Sequence, residues 1–297
     1  MTRKYLFIAL AALCLMAGGS CSRSGNPVTT KTYTFTDSSS RADLTFFLEL
    51  PESDRGAVGN IRRGLIDIMD SQLAYVGSYE GKRLFPAYDG NIAATDSIIS
   101  YYRRNALDAL EFSATSDFEE RKGYIMEDKD LSDERKAELL KDVPRYEYDF
   151  TLAKEYETDR LVVFSSMDYS FLGGAHGGVN GAGSVTFDKR NGQQFKDFLK
   201  PDSLEPMQEM LIKGLTEYFS DNDGSVTQDN VREYLFLESD EVPFPAWTPA
   251  PTEDGLCFTY QQYEIAAYAM GMPSFVIPYD EVEPFLTDDA KNLLNLK

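Results

Sequence analysis

Tyr146-Glu147-Tyr148-Asp149-Phe150-Thr151-Leu152 alternates apolar with polar side chains, and Leu161-Val162-Val163-Phe164 follows after a polar break. Alternation with period two places every second side chain on one face of a strand. Two such runs joined by a polar segment predict a hairpin. A second hairpin is expected from Val185-Thr186-Phe187 and Gln194-Phe195, turned by Asp188-Lys189-Arg190-Asn191-Gly192. Leu44, Phe46, Leu48 and Leu50 predict an earlier strand, and residues 256–260 and 275–278 predict late ones. Helical spacing marks other segments. Val58, Ile61, Leu65, Ile68, Gln72 and Val76 predict a helix over 57–76. Ile98, Ile99, Tyr102, Ala106, Leu107 and Leu110 predict a second helix, with Thr95 or Asp96 as its cap. Ser132 caps a third that ends before Pro144, and Met207, Met210, Leu211, Gly214, Leu215 and Tyr218 mark a fourth starting near Ser203. Strands and helices are partly segregated rather than in a βαβα rhythm. The expectation is therefore an α+β fold with mostly antiparallel sheets and packed helices, in two modules over 31–155 and 156–297.

The N-terminus bears on compartment. Arg3 and Lys4 precede an apolar run over 5–17, then Gly18-Gly19-Ser20-Cys21. A basic start, a short apolar core and small residues form an export signal, here over 1–20. The run is shorter than the roughly 20 residues a spanning helix needs. Small residues ending on Cys21 point to a lipoprotein signal, with the Cys21 thiol taking a lipid (palmitate among its chains) as the membrane anchor. Residues 21–30, rich in Ser, Gly, Asn, Pro and Thr, read as a tether. No acidic run follows Cys21, which favours the periplasmic face over the cell surface. Cys14 lies in the signal and Cys257 remains alone, read as a buried strand residue, so no internal disulfide is expected.

The net charge is −20. Phosphate backbones are held by Lys and Arg, so nucleic acid is excluded as an expected partner. Acidity favours basic partners, and it also serves solubility.

The only histidine, His176, stands in Gly173-Gly174-Ala175-His176-Gly177-Gly178. Glycines serve where backbone takes φ > 0 or passes close to another group. His176 and Ser184 could belong to a hydrolase triad, yet Gly181-Ala182-Gly183-Ser184 is not a nucleophile elbow. Zinc needs several His or Cys ligands, so no metal or other cofactor is expected. Asp221-Asn222-Asp223-Gly224-Ser225 has some calcium-loop character, but Phe219 and Asn230 stand where that loop needs acids, so it reads as a polar turn. The segment from Tyr260 to Gly271, with Tyr169-Ser170-Phe171, could line a glycan or peptide site or form core with its hydroxyls bonded to backbone.

Four motifs then occur in order. They are Tyr169…Gly173-Gly174-Ala175-His176-Gly177; Phe187-Asp188…Asn191-Gly192; Tyr260-Gln261-Gln262-Tyr263-Glu264-Ile265-Ala266-Ala267-Tyr268-Ala269-Met270-Gly271; and Ile277-Pro278-Tyr279. Over residues 160–285 the set resembles the extracellular domain of unknown function shared by the lysozyme-sensing anti-sigma factor RsiV and the peptidoglycan deacetylase PdaC. Residues 31–155 resemble its usual N-terminal companion. The resemblance implies an α+β fold and, through RsiV, binding of lysozyme, a basic protein. It marks Tyr169, Gly173, Gly174, His176, Gly177, Tyr263, Glu264 and Tyr268 as candidate ligand or hallmark residues. No membrane-spanning helix, sigma-binding segment or deacetylase domain accompanies the module, so the module alone carries over, as in stand-alone lipoproteins of Bacteroidetes type. The expected protein is a non-enzymatic, lipid-anchored envelope protein that binds a lysozyme-like protein or cell-wall glycan. A hydrolase using His176 and a structural envelope protein are the alternatives.

Overall fold

The predicted hairpin is the centre of the fold. In a computed structural model that describes residues 26–78, 81–174, 177–222 and 224–296, β3 (Tyr146–Glu157) and β4 (Leu161–Phe171) pair antiparallel, with Phe150 opposite Asp168. β1 (Thr30–Ser38), β2 (Ala42–Pro51), β5 (Gly178–Asp188) and β6 (Gln194–Phe195) complete a six-stranded sheet in the order β1-β2-β3-β4-β5-β6. Every neighbouring pair is antiparallel except β2 with β3, which is parallel. A parallel pair needs a crossover. It is supplied by α1 (Gly56–Leu73), α2 (Thr95–Glu127) and α3 (Asp133–Lys141). A three-stranded antiparallel sheet, β7 (Ala250–Pro251), β8 (Gly255–Thr259) and β9 (Ser274–Pro278), packs with α4 (Gln208–Asn222) and the short α5 (Tyr279–Val282) and α6 (Asp288–Leu294). The fold is thus α+β with mostly antiparallel sheet. No described helix is long and apolar enough to cross a membrane.

Two cores follow from the pleat. Leu44, Phe46, Leu48, Tyr148, Phe150 and Leu152 point from one sheet face onto Ile61, Leu65 and Met69 of α1 and Ile98, Tyr102 and Ala106 of α2. The second core joins Met207, Leu211, Leu215 and Phe219 to Phe258, Phe275 and Ile277. Strand β4 serves both, since Val162 and Phe164 face the first core and Leu161 and Val163 the second. Full burial of such side chains stabilises by roughly 1.5–3 kcal/mol each. The expected boundary at 155/156 falls inside β3, within one continuous sheet. The first core draws on buried residues up to 164 and on Phe187, the second on residues from 198 onward, and Leu161 and Val163 of β4 carry the second core into the large sheet.

Local details differ from the pattern reading. α2 starts at Thr95 after Ala94, with no side-chain cap; the Thr95 hydroxyl instead accepts from the buried guanidinium of Arg62. α2 runs on to Glu127, through a polar, mostly exposed stretch that carries little apolar periodicity. Ser132 does cap α3, accepting from the Arg135 amide at 3.3 Å. Cys257 lies in β8 as expected but is partly exposed, with its sulfur 3.3 Å from Ser274 Oγ on the outer face of the small sheet. The tether is docked at its end. Val28 is 2% exposed; its amide donates to Glu157 Oε1 (2.7 Å) and its carbonyl accepts from Lys154 Nζ (3.0 Å). Glu157 also meets Lys189 at 2.6 Å, and these partners pull its carboxyl below the usual range against the opposing effect of burial. Residues 1–20, with Cys14, and Cys21 itself lie outside the described residues.

Candidate functional site

Of the described residues of the glycine run, Gly173, Gly174 and Gly177 lie in the connection between β4 and β5, and only Gly178 belongs to a strand. Gly173, with φ +74, makes the turn after β4 beside the Tyr146 ring, and Gly174 is exposed. Ala175 and His176 lie outside the described residues. Gly178 opens β5, which pairs with β4 through a bulge: Asp168 opposes Gly181, Tyr169 opposes Val179, and Asn180 is the extra residue. Bulges re-aim side chains near strand ends. Here the bulge turns the Asn180 amide onto Asp168 Oδ2 (2.8 Å), while its carbonyl accepts from Ser170 Oγ (3.0 Å).

Glycines in and just before β5 clear space for rings from the C-terminal segment and from β4. A Cβ on Gly183 would overlap the indole of Trp247, and one on Gly177 would overlap the Tyr169 hydroxyl. The Gln261 side chain completes the edge as a strand would: the Ala182 amide donates to its Oε1 (2.9 Å), and its Nε2 donates to the Ala182 carbonyl (2.8 Å). Tyr268 donates to the Gly177 carbonyl (2.8 Å), and the Tyr263 ring lies 5.5 Å from the Tyr268 ring. Tyr263 is 65% exposed and held at φ +63, a conformation rare for a non-glycine residue. Such strain gathers at functional sites and persists only where its surroundings enforce it. Glu264 provides that enforcement, accepting from the amides of Gln261 (2.6 Å) and Ala246 (2.5 Å).

Tyr169, Gly177, Tyr263 and Tyr268 therefore converge at one end of the sheet, while Glu264 acts behind them as a backbone clamp. Asp149 lies opposite Tyr169 on β3, and Glu147 lies opposite Phe171. Burial raises the Tyr169 hydroxyl pKa, and the negative charges of Glu147 and Asp149 raise it further. Burial also raises the Asp149 carboxyl, against a hydrogen bond from Thr45. Ser184, the serine weighed for a triad with His176, sits mid-strand opposite Ser165 and donates to Glu155 (3.1 Å). Tyr260, from the same aromatic segment, is core: its ring is buried and its hydroxyl donates to the Pro243 carbonyl (2.8 Å). Among the described residues no group of three His, Cys, Asp or Glu could hold a metal ion.

Pattern reading missed Asp168, Asn180 and Trp247. Asp168 is 4% exposed; Oδ2 accepts from Tyr148 (3.2 Å) and Asn180, while Oδ1 has no hydrogen-bond partner among the described residues. Burial raises its pKa, with Asn180, Tyr148 and the amides of Asp168 and Gly181 opposing. A raised folded pKa contributes stability at acid pH that is lost as pH rises through that pKa. Asp168→Asn keeps an acceptor for both donors and removes the desolvated charge. In urea titrations it is expected to match or exceed the parent at pH 7.5, with the advantage shrinking towards pH 4; a variant weaker at pH 7.5 than at pH 4, relative to parent, contradicts this reading.

No curated protein matches the chain. The fold is similar to that of a solved DUF3298-family protein from Bacteroides fragilis, at 17% identity and TM-score 0.62, covering 91% of this chain and 96% of that one. It is also similar to one from Pseudomonas aeruginosa, at 14% identity and TM-score 0.51, covering 89% and 97%. At these identities the likeness is one of fold. Within that shared fold, residues 196–280 match the model of the family described as protein of unknown function DUF3298.

Proposed function

We propose that this chain is a non-enzymatic envelope lipoprotein, anchored through Cys21 and facing the periplasm, whose ectodomain captures a basic protein of the lysozyme class. The carrying observation is the convergence of Tyr169, Tyr263 and Tyr268 around Gly177, beside Glu147 and Asp149. Tyrosine faces attract Arg and Lys, and neighbouring carboxylates complement their charge. A net charge of −20 speeds encounter with a cationic partner. The motif resemblance to the RsiV-type domain supports the same partner class. The docked Val28 lies at the Glu157 end of β3, about 25 Å along the strand from Asp149. The tyrosine end thus points away from the tether. Cell-wall glycan is the second reading, favoured by the exposed face of Tyr263, on which a sugar ring can stack.

Tyr263→Ala tests both. Its ring is mostly exposed, so the melting temperature is expected to stay within about 2 °C of the parent's. Hen lysozyme binding should weaken at least tenfold, and the parent's binding should fall as salt rises. A parent chain that shows no salt-sensitive association with lysozyme removes the protein-partner reading. Retention on insoluble peptidoglycan that Tyr263→Ala abolishes would move the assignment to glycan.

A further inference from the structure

Strand β1 is an edge of the six-stranded sheet and reads Thr30-Lys31-Thr32-Tyr33-Thr34-Phe35-Thr36-Asp37-Ser38. It pairs with β2 over nine residues with no register shift. It contains no proline, glycine or bulge. Among the described residues no hydrogen bond outside the β1–β2 ladder uses the backbone of 31–38. Long, regular edges are templates for another strand, and proteins ordinarily interrupt them.

The sequence of this edge is complementary to itself. Set antiparallel to a second copy about Thr34, it places Lys31 opposite Asp37, Tyr33 opposite Phe35, Thr32 opposite Thr36 and Thr30 opposite Ser38. Each pairing joins residues of equal parity, so outward-facing backbone groups meet outward-facing ones and each side chain keeps its sheet face. Opposite-charge and aromatic cross-strand pairs are both favourable. Shifting the register by two residues either way removes the Lys31–Asp37 match. Lys31 is exposed, rests over the Tyr33 ring at 5.0 Å and has no carboxylate partner among the described residues. Asp37 is held in place by Arg103, which bonds both its oxygens (2.6 and 2.7 Å) and stacks on Phe35 at 4.2 Å. Its carboxylate is thus fixed on the face that Lys31 of a second copy would reach. A surface recess of about 400 Å³ lined by Lys31, Tyr33 and residues 93–97 leaves room beside the edge.

We infer that β1 is a homodimerisation edge, pairing antiparallel with β1 of a second copy about Thr34 and joining the two six-stranded sheets into one. Cysteine placement reads this register. The full chain with Cys14, Cys21 and Cys257 replaced by serine provides a thiol-free background. In it, Thr34→Cys faces its own copy at about 4.5–5.5 Å between Cα atoms, within disulfide range. Thr32→Cys faces Thr36, about 13 Å along the strand from its own copy. Mild oxidation at tens of micromolar protein and physiological salt is expected to link Thr34→Cys at least fivefold more than Thr32→Cys or Thr36→Cys. Mixing the latter two should yield the mixed dimer. In sedimentation, Lys31→Glu should raise the dimer dissociation constant at least tenfold while its circular dichroism melt matches the parent's. Equal linking at 32 and 34, or a parent that stays monomeric to 100 micromolar, overturns the inference.

Discussion

Gly183→Ala is expected to destabilise the chain by about 2–3 kcal/mol, as overpacking of a tight contact does, although it adds one methyl group to a strand that otherwise gains from losing a glycine. The added carbon would occupy the position of the Trp247 indole, so the ring must leave. With it goes the cover over Gly181 and, on the same edge, the Gln261 clasp on Ala182. Trp247 is the only tryptophan. Its emission should therefore shift to the red in the folded variant as the ring meets water, a local report distinct from the loss of stability. Gly123→Ala is the matched control: it lies inside α2 with nothing within 4 Å of the new carbon. That change should stabilise by roughly 0.5–1 kcal/mol through helix propensity. A Gly183→Ala protein with unchanged emission and an unchanged urea midpoint would show that Trp247 does not rest on β5.

Arg62→Ala is expected to cost more, about 4 kcal/mol, by combining a large-to-small cavity with lost hydrogen bonds. Arg62 points from α1 into the first core and is 2% exposed. Its Nε donates to the Ile92 carbonyl (2.8 Å), Nη1 to the Pro51 carbonyl (2.5 Å), and Nη2 to the Thr95 hydroxyl. One side chain thus ties the end of β2 and the entry to α2 to α1, across the long crossover between the parallel strands. Truncation leaves the buried Pro51 carbonyl and the partly buried Ile92 carbonyl without that donor and opens a side-chain-sized void. Lysine offers one ammonium in place of a planar fork, so Arg62→Lys should recover only part of the loss. Arg62→Met keeps volume without charge and should fall between lysine and alanine. Guanidinium unfolding of the four proteins checks the order; an alanine variant within 1 kcal/mol of parent refutes it.

How much of this was legible in the chain can be argued from particular segments. Leu44 to Leu50 and Tyr146 to Leu152 announced β2 and β3, because one face of each is core and the other is not. The face of α1 was legible for the same reason, but Arg62 was not, because a cation within an apolar stripe gives no sign of its partners. β1 escaped because an edge strand with threonine at every second position buries little of either face. The first half of β5 escaped because glycine signals turns, and here it marks clearance for rings more than sixty residues away. Tyr169, Tyr263 and Tyr268 were legible through motif order. Their meeting at Gly177, and the role of Glu264 as a clamp behind them, were not.

The sequence by itself determined the periodic elements, the α+β class and the acidic surface, since these depend on local backbone preference and on counting charges. The tertiary structure alone decided three things. It paired β2 with β3 in parallel across three helices, a choice made by long-range burial and not by any local signal. It made Gly181, Ala182 and Gly183 of β5 a strand edge covered by Trp247 and Gln261, because clearance is a relation between distant residues. And it enclosed Asp168 in the sheet beside Tyr148 and Asn180, where desolvation rather than sequence neighbours sets its protonation.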